Sequence, residues 1–208
     1  MKSDNRLYFP ATQKNKEVIR KAIKNFLPKN GYVLEIGSGS GEHGVFFQEI
    51  FPNIIWHTSD PNAIYRRSIN SWIKRNNFQF IMPKPLDINV EQRPWLTNKK
   101  LITKIKCIVS INMIHIAPWS ATKALFEESK SILKKNKNLI LYGPFKSDGL
   151  HTSKSNKLFD QSLKIKNKNW GIRDLRDICN LALETEFNLI KTIKMPSNNL
   201  TLILKRIN

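Results

Sequence analysis

Much of what can be excluded follows from what the chain has little of. Its two cysteines, Cys107 in an apolar run and Cys179 in an amphipathic one, show neither a metal-binding spacing nor a disulfide framework, so both read as buried thiols and no metal is expected. No apolar run approaches the ~20 residues of a membrane span, and the opening MKSDNRLYFPATQKNK lacks the apolar stretch of a signal peptide. The expectation is a soluble, cytoplasmic protein with no membrane partner. No internal repeat and no low-complexity linker interrupts the 208 residues, of which 40% are hydrophobic; they predict a single domain over 1–208. Acids are scarce, 16 against 35 lysines and arginines, which leaves a net charge of +19. Such a balance ordinarily points to nucleic acid. Here the 26 lysines and 9 arginines are scattered from end to end, with local pairs at Lys99/Lys100 and Lys134/Lys135 but no long block and no aromatic-interleaved patch. Solvated faces are therefore the favoured reading and a nucleic-acid partner the lesser one. Nothing in the sequence fixes an oligomeric state.

Within these limits, short apolar runs alternate with stretches of helical period, the pattern of a parallel sheet covered by helices. Thr12, after Pro10, is placed to cap a first helix whose Val18, Ile19, Ala22, Ile23, Phe26 and Leu27 share a face. Strands are expected at 32–36, 53–59, 78–82, 106–112 and 138–143, with Pro83 and Pro85 blurring the end of the third. The polar segment that follows carries Gly149, His151, Ser155, Asn156 and Asp160 and reads as a substrate-side insertion over 145–170. After a helix at 171–186 come two extended runs, NLIKTIKMP and LTLILKR, separated by Ser197, Asn198 and Asn199, which predict an antiparallel hairpin. The sum is an α/β, Rossmann-like fold: a mostly parallel, seven-stranded sheet ending in an antiparallel hairpin, with helices on both faces.

The stretch VLEIGSGSGEHG, Val33 to Gly44, parses in two ways. From Gly39 it reads G-x-G-x-x-G (Gly39, Gly41, Gly44), the dinucleotide fingerprint. From Glu35 it reads E-x-G-x-G-x-G (Glu35, Gly37, Gly39, Gly41), which resembles the loop of S-adenosylmethionine (AdoMet)-dependent methyltransferases. The strand is apolar only to Ile36, so its turn should begin at Gly37, and the terminal hairpin is a hallmark of the methyltransferase sheet. The ligands also differ in charge. A pyrophosphate wants the positive end of a helix, whereas AdoMet, a cationic sulfonium with an ammonium, wants acids. Glu35, Asp60 and Asp87 stand where the ends of the first three strands converge, the place where open α/β sheets bind ligands. Asp60, 19 residues beyond Gly41, suits the two ribose hydroxyls of AdoMet or of NAD. Asp87 suits an adenine amino group, and Glu35 the glycine loop and the ammonium. Each alone also reads as a turn or cap residue.

The blocks PATQKNK, VLEIGSGSGEH, TSDP, LDIN, SINMIHIAPW, LYGPF, SNKLFDQSL, WGIRDLRD and MPSNNLTLIL, in this order, resemble the methyltransferase-like 26 family of uncharacterised class I AdoMet-dependent methyltransferases nearly end to end. The resemblance implies the class I methyltransferase fold, AdoMet as cofactor and an N-terminal lid or helix in 1–30, with Tyr8 to Asn15 over the cleft. It implies no substrate.

Methyl transfer to an activated sulfonium asks the protein chiefly to align the acceptor and exclude water. Where the acceptor must lose a proton, His115, three residues past Asn112 at the end of the fourth strand, is the candidate base, with a histidine held in a turn as the other reading. Tyr142 is the second catalytic candidate, or a core aromatic. Asn112 is assigned to the cofactor side, and Asn15, His151, Asn156, Arg173 and Asn199 to the substrate; Arg173 would clamp a carboxylate or pair on the surface. His43 stands in the first turn after the loop, near the cofactor, and His57 inside a strand. The leading function is methyl transfer to O or N of a small molecule. The alternatives are an RNA or DNA methyltransferase, disfavoured because the strand ends in N-M-I-H rather than N/D-P-P-Y/F, a non-catalytic AdoMet binder, and, more distantly, an NAD(P) oxidoreductase.

Overall fold

The computed structural model describes residues 4–208, so the first three residues of the expected N-terminal segment lie outside the described residues. Helix α1 (Pro10–Ile23) starts on its proline, which needs no hydrogen-bond acceptor for a missing N–H and arrives with helical φ. The expected Thr12 cap is not formed. Phe9 is the N-cap, no side chain caps the helix, and Thr12 is a buried first-turn residue whose N–H bonds the Phe9 carbonyl at 2.9 Å.

Strand β1 (Gly31–Ile36) runs into helix α2 (Glu42–Ile50), and β2 (Ile54–Ser59) into α3 (Ala63–Arg75), which Asn62 caps through its side-chain oxygen. A short α4 (Lys99–Ile102) precedes β3 (Ile105–Ile111), helix α5 (Trp119–Ile132) and β4 (Asn138–Pro144). The insertion folds as a two-rung hairpin, β5 (Lys146–Ser147) and β6 (Leu150–His151), and helix α6 (Lys154–Lys166). Helix α7 (Leu175–Glu184) and strands β7 (Phe187–Met195) and β8 (Asn199–Arg206) complete the fold.

The main sheet has the order β2-β1-β3-β4-β8-β7, parallel from β2 to β4 and antiparallel across β4–β8 and β8–β7. Among the described residues it has six strands, not the expected seven. The run at 78–82 forms turns, with Ile81 and Met82 donating back to the Phe78 carbonyl, and Phe80 is almost fully exposed. The reason lies in the next residues. Pro83 and Pro85 have no N–H to give to a ladder, and only Leu86 between Pro85 and Asp87 pairs along β2, donating to Thr58 O and accepting from Asp60 N.

Each face of the sheet has its own core. One packs Leu34, Ile108, Leu139 and Leu202 against Leu125 and Phe126 of α5 and Ile178 of α7. The other packs Val33, Trp56, Val109 and Ile140 against Ile19 and Ile23 of α1, Phe47 of α2 and Ile69 of α3. At about 1.5–3 kcal/mol for each large apolar side chain removed from water, these layers hold the strand ends rigidly in register.

Candidate functional site

The first strand is flanked by β2 on one side and β3 on the other, so the loops leaving these carboxyl ends diverge and leave a crevice. A cavity of about 570 Å³ lies there, within the range of small-molecule sites. The chain turns at Gly37, at φ 71, where a Cβ would come within 2.7 Å of the Met113 side chain. The turn thus begins where the E-x-G-x-G-x-G parsing requires it, and Gly41, in the left-handed region, is the N-cap of α2.

Two of the three predicted acids meet at this cavity. Asp60 lines it; one carboxylate oxygen accepts from Gly39 N at 3.0 Å and the other from Asn62 N at 2.9 Å. Its pKa is raised because burial outweighs these bonds. Glu35 is buried beneath the glycine turn and lines the same cavity, its Oε2 accepting from the Trp56 indole at 2.9 Å. Burial pushes its pKa up to about 7, against the pull of hydrogen bonds from Trp56 and Ser38. Asp87 is not brought to the wall. Its side chain is 67% exposed and pairs with Arg66 at 2.8 Å, because the single Leu86 rung turns the carboxylate outward; Ile88 and Asn89 line the cavity instead. The third acid on the wall is Glu91. Among the described residues that line the cavity there is no lysine or arginine, in a chain carrying +19.

The N-terminal segment forms another wall, with Phe9, Thr12 and Asn15 facing the cavity. Glu42, which sequence reasoning missed, holds it there. Its carboxylate accepts from Phe9 N (2.7 Å), Gln13 Nε2 (2.6 Å) and Ser40 Oγ (2.8 Å), while Ser68 and Trp72 of α3 bond the backbone of Leu7. The insertion contributes Phe159 of α6, and Trp170 follows it in the wall. No distinct signal for Glu42 lies in the sequence, since an acid in the first turn of a helix is explained by the helix N-terminus alone.

The predicted catalytic pair is not brought to the cavity. Asn112 adopts a left-handed conformation, donates its N–H to the Tyr142 carbonyl and opens a 3₁₀ turn, Met113–His115. With three residues per turn, Met113 and Ile116 share the outward face, and Ile114 and His115 point into the core. His115 is fully buried against Phe145 and the backbone of Gly143, where even a methyl group would collide with its Nε2. Burial, with Arg173 nearby, pushes its pKa down to about 3. Tyr142 is a core residue whose hydroxyl has Asn15 and Asn199 beside it, its pKa raised by burial.

Of the predicted substrate residues, Asn15 alone lines the cavity, its Oδ1 2.8 Å from His43 Nε2. Arg173 spends its guanidinium on the carbonyls of Ile114, Ala117 and Asn169, locking the 3₁₀ turn, and it lines a separate hollow with Lys123, Arg176 and Asp177. Asn156 braces α6 to the terminal hairpin through Asn198 O, and His151 lies 3.3 Å from the buried Asp160. Asn199 opens β8 and donates to Pro196 O. These side chains are occupied by the fold's own backbone and ions. His57 is likewise occupied, with Nε2 3.1 Å from Lys84 O. Among the described residues no cluster of metal-ligating side chains is present and no helix is long and apolar enough to cross a membrane.

This architecture is the fold of AdoMet-dependent methyltransferases. An O-methyltransferase family protein from Burkholderia thailandensis superposes with a TM-score of 0.78 at 10% identity over 95% of this chain and 57% of its own. Human N-acetylserotonin methyltransferase, in complex with its S-adenosylmethionine, gives 0.76 at 10% over 95% and 53%. A proposed sarcosine dimethylglycine methyltransferase from Galdieria sulphuraria gives 0.73 at 13% over 98% and 92%. The chain spans little more than half the length of the first two. Residues 6–206 match the model of the DUF938 family, described as a protein of unknown function, and the chain belongs to that family.

Proposed function

We propose that the protein is an AdoMet-dependent methyltransferase that transfers the methyl group to O or N of a small molecule. The observation that carries this reading is the charge of the cavity: among the described residues, three acids and no lysine or arginine line a strand-end crevice in a strongly basic chain. A cationic donor gains from such a wall, whereas a pyrophosphate or a nucleic-acid backbone is repelled by it. Asp60 is positioned for the ribose hydroxyls and Glu35 for the loop and the ammonium; Gly37 and Gly39 let the chain approach the ligand closely, while Gly41, off the wall, makes room for Ile69 of α3. The methyltransferase-like 26 resemblance and the solved methyltransferases of the same fold support the assignment. Calorimetric titration with AdoMet, S-adenosylhomocysteine and NADH tests it: the first two should bind and NADH should not. NADH binding without AdoMet binding would return the glycine loop to its dinucleotide parsing.

A further inference from the structure

Besides its acids and neutral polar side chains, the cavity wall carries apolar side chains from four separate elements: Phe9 before α1, Ile116 after β3, Phe159 on α6 and Trp170 before α7. Ile116 is 45% and Phe159 39% exposed, apolar area that folding has left open inside a hollow. In the same wall sits one imidazole with an uncommitted acceptor. His43 Nε2 meets Asn15 Oδ1, so Nε2 carries the proton and Nδ1 a lone pair. Nδ1 has no hydrogen-bond partner among the described residues, yet it is not among the side-chain atoms sealed from contact. Burial, with the charge of Lys16 adding to it, keeps this ring neutral, its pKa pushed down to about 3.

We infer that the acceptor is a small, apolar-bodied molecule carrying a hydroxyl or amine and no anionic group, and that its O–H or N–H donates to Nδ1 of His43. The inference rests on the AdoMet reading and names the acceptor for that same site. With no lysine or arginine among the described residues of the wall, a carboxylate or phosphate meets no counter-charge there and three acids to repel it. Donor and acceptor share one cavity, which keeps the acceptor small. In the transfer, the acceptor oxygen or nitrogen forms its bond to the methyl carbon as the carbon–sulfur bond breaks and sulfur keeps the electron pair. A methylated oxygen then sheds its proton to Nδ1 and on to water, whereas a methylated amine keeps its proton and leaves as the ammonium. A methylated oxonium is a strong acid, so a weakly basic imidazole suffices.

The test is a set of matched probes titrated calorimetrically into protein saturated with S-adenosylhomocysteine: p-cresol, p-toluate and p-tolyl phosphate. p-Cresol should bind at least about tenfold more tightly than either anion, a margin of about 1.4 kcal/mol. His43→Leu should weaken p-cresol roughly three- to tenfold with S-adenosylhomocysteine affinity little changed, while loss of the buried bond to Asn15 lowers the melting temperature. His43→Asn, whose side-chain oxygen falls near the Nδ1 position, should restore most of that loss. Anions that bind as well as p-cresol, or no probe binding to the loaded protein, would overturn the inference, as would a His43→Leu loss shared equally by S-adenosylhomocysteine. Failure of S-adenosylhomocysteine to bind in the first titration would instead bring down the cofactor reading underneath it.

Discussion

The turns that follow β1 and β3 hold similar residues and do opposite things. Each follows a buried strand, each opens on a residue in the left-handed region, Gly37 and Asn112, and each carries a buried histidine pushed down to about 3, His43 and His115. After β1 the polar groups keep capacity toward the cavity: Asp60 and Glu35 line it, and His43 has a free ring nitrogen. After β3 the groups are turned elsewhere: Asn112 reaches the wall but its N–H is held by Tyr142 O, Arg173 is spent on three carbonyls, and His115 points into the core, its Nε2 unpartnered against glycine backbone. Residue type and burial therefore do not mark a site. Unspent hydrogen-bonding capacity facing a cavity does.

Substitutions on the two sides should separate accordingly. The largest effect is expected at Glu35. Its carboxyl is held at about 7 against an ordinary 4.5, so the folded state gives up stability as pH rises from the ordinary value through about 7, at most about 3 kcal/mol. Glu35→Gln should make the free protein more resistant to urea above pH 7, with no gain in acid, while weakening AdoMet; wild-type affinity should itself strengthen as the pH passes about 7. A variant with unchanged urea midpoint and unchanged affinity would mean that Glu35 faces no ligand.

Next comes Asp60→Ala, which removes charge-assisted hydrogen bonds and should weaken AdoMet and S-adenosylhomocysteine by about 1–3 kcal/mol in calorimetry. On the opposite turn, His115→Gln should cost about 1–2 kcal/mol of folding stability and leave S-adenosylhomocysteine affinity within about twofold. A stable variant with lost turnover and an altered pH–rate profile would erase the contrast between the turns. Acid completes the comparison from both sides at once. Each histidine is neutral when folded and must charge on unfolding, so thermal stability should fall as the pH drops below about 6.5. The smallest effect is expected from replacing Lys99/Lys100 and Lys134/Lys135, all exposed and remote from the cavity wall: cofactor affinity at low and moderate salt should not change.

The parallel strands and the acids Glu35 and Asp60 on the cavity wall were legible in the sequence because their signals are local. YVLEI ends at Ile36 and is followed by a glycine, and Asp60 closes an apolar run. The edge at 78–82 misled because its apolar residues fit a strand, while the decisive fact, two prolines that cannot join a ladder, lay downstream. The orientation of His115 depends on whether the chain after Asn112 turns with three residues or runs on extended, and that is set by Arg173, 58 residues away, holding the turn's carbonyls. Asn156 and His151 looked like site residues because polarity in a loop resembles a binding surface, yet it met the loop's own needs. Phe159 and Trp170 went unremarked because an aromatic in a polar segment gives no hint of which way it will face.

One carboxylate links the glycine turn to the segment that covers it. Glu42 grips Phe9 N and Gln13 on one side and Ser40 on the other. A molecule that tightens the loop therefore tightens the cover, and by reciprocity whatever loosens the cover loosens the grip on the molecule. Entry and closure are then two readings of one equilibrium, and exchange of the Phe9 amide with deuterated solvent should slow as the crevice fills.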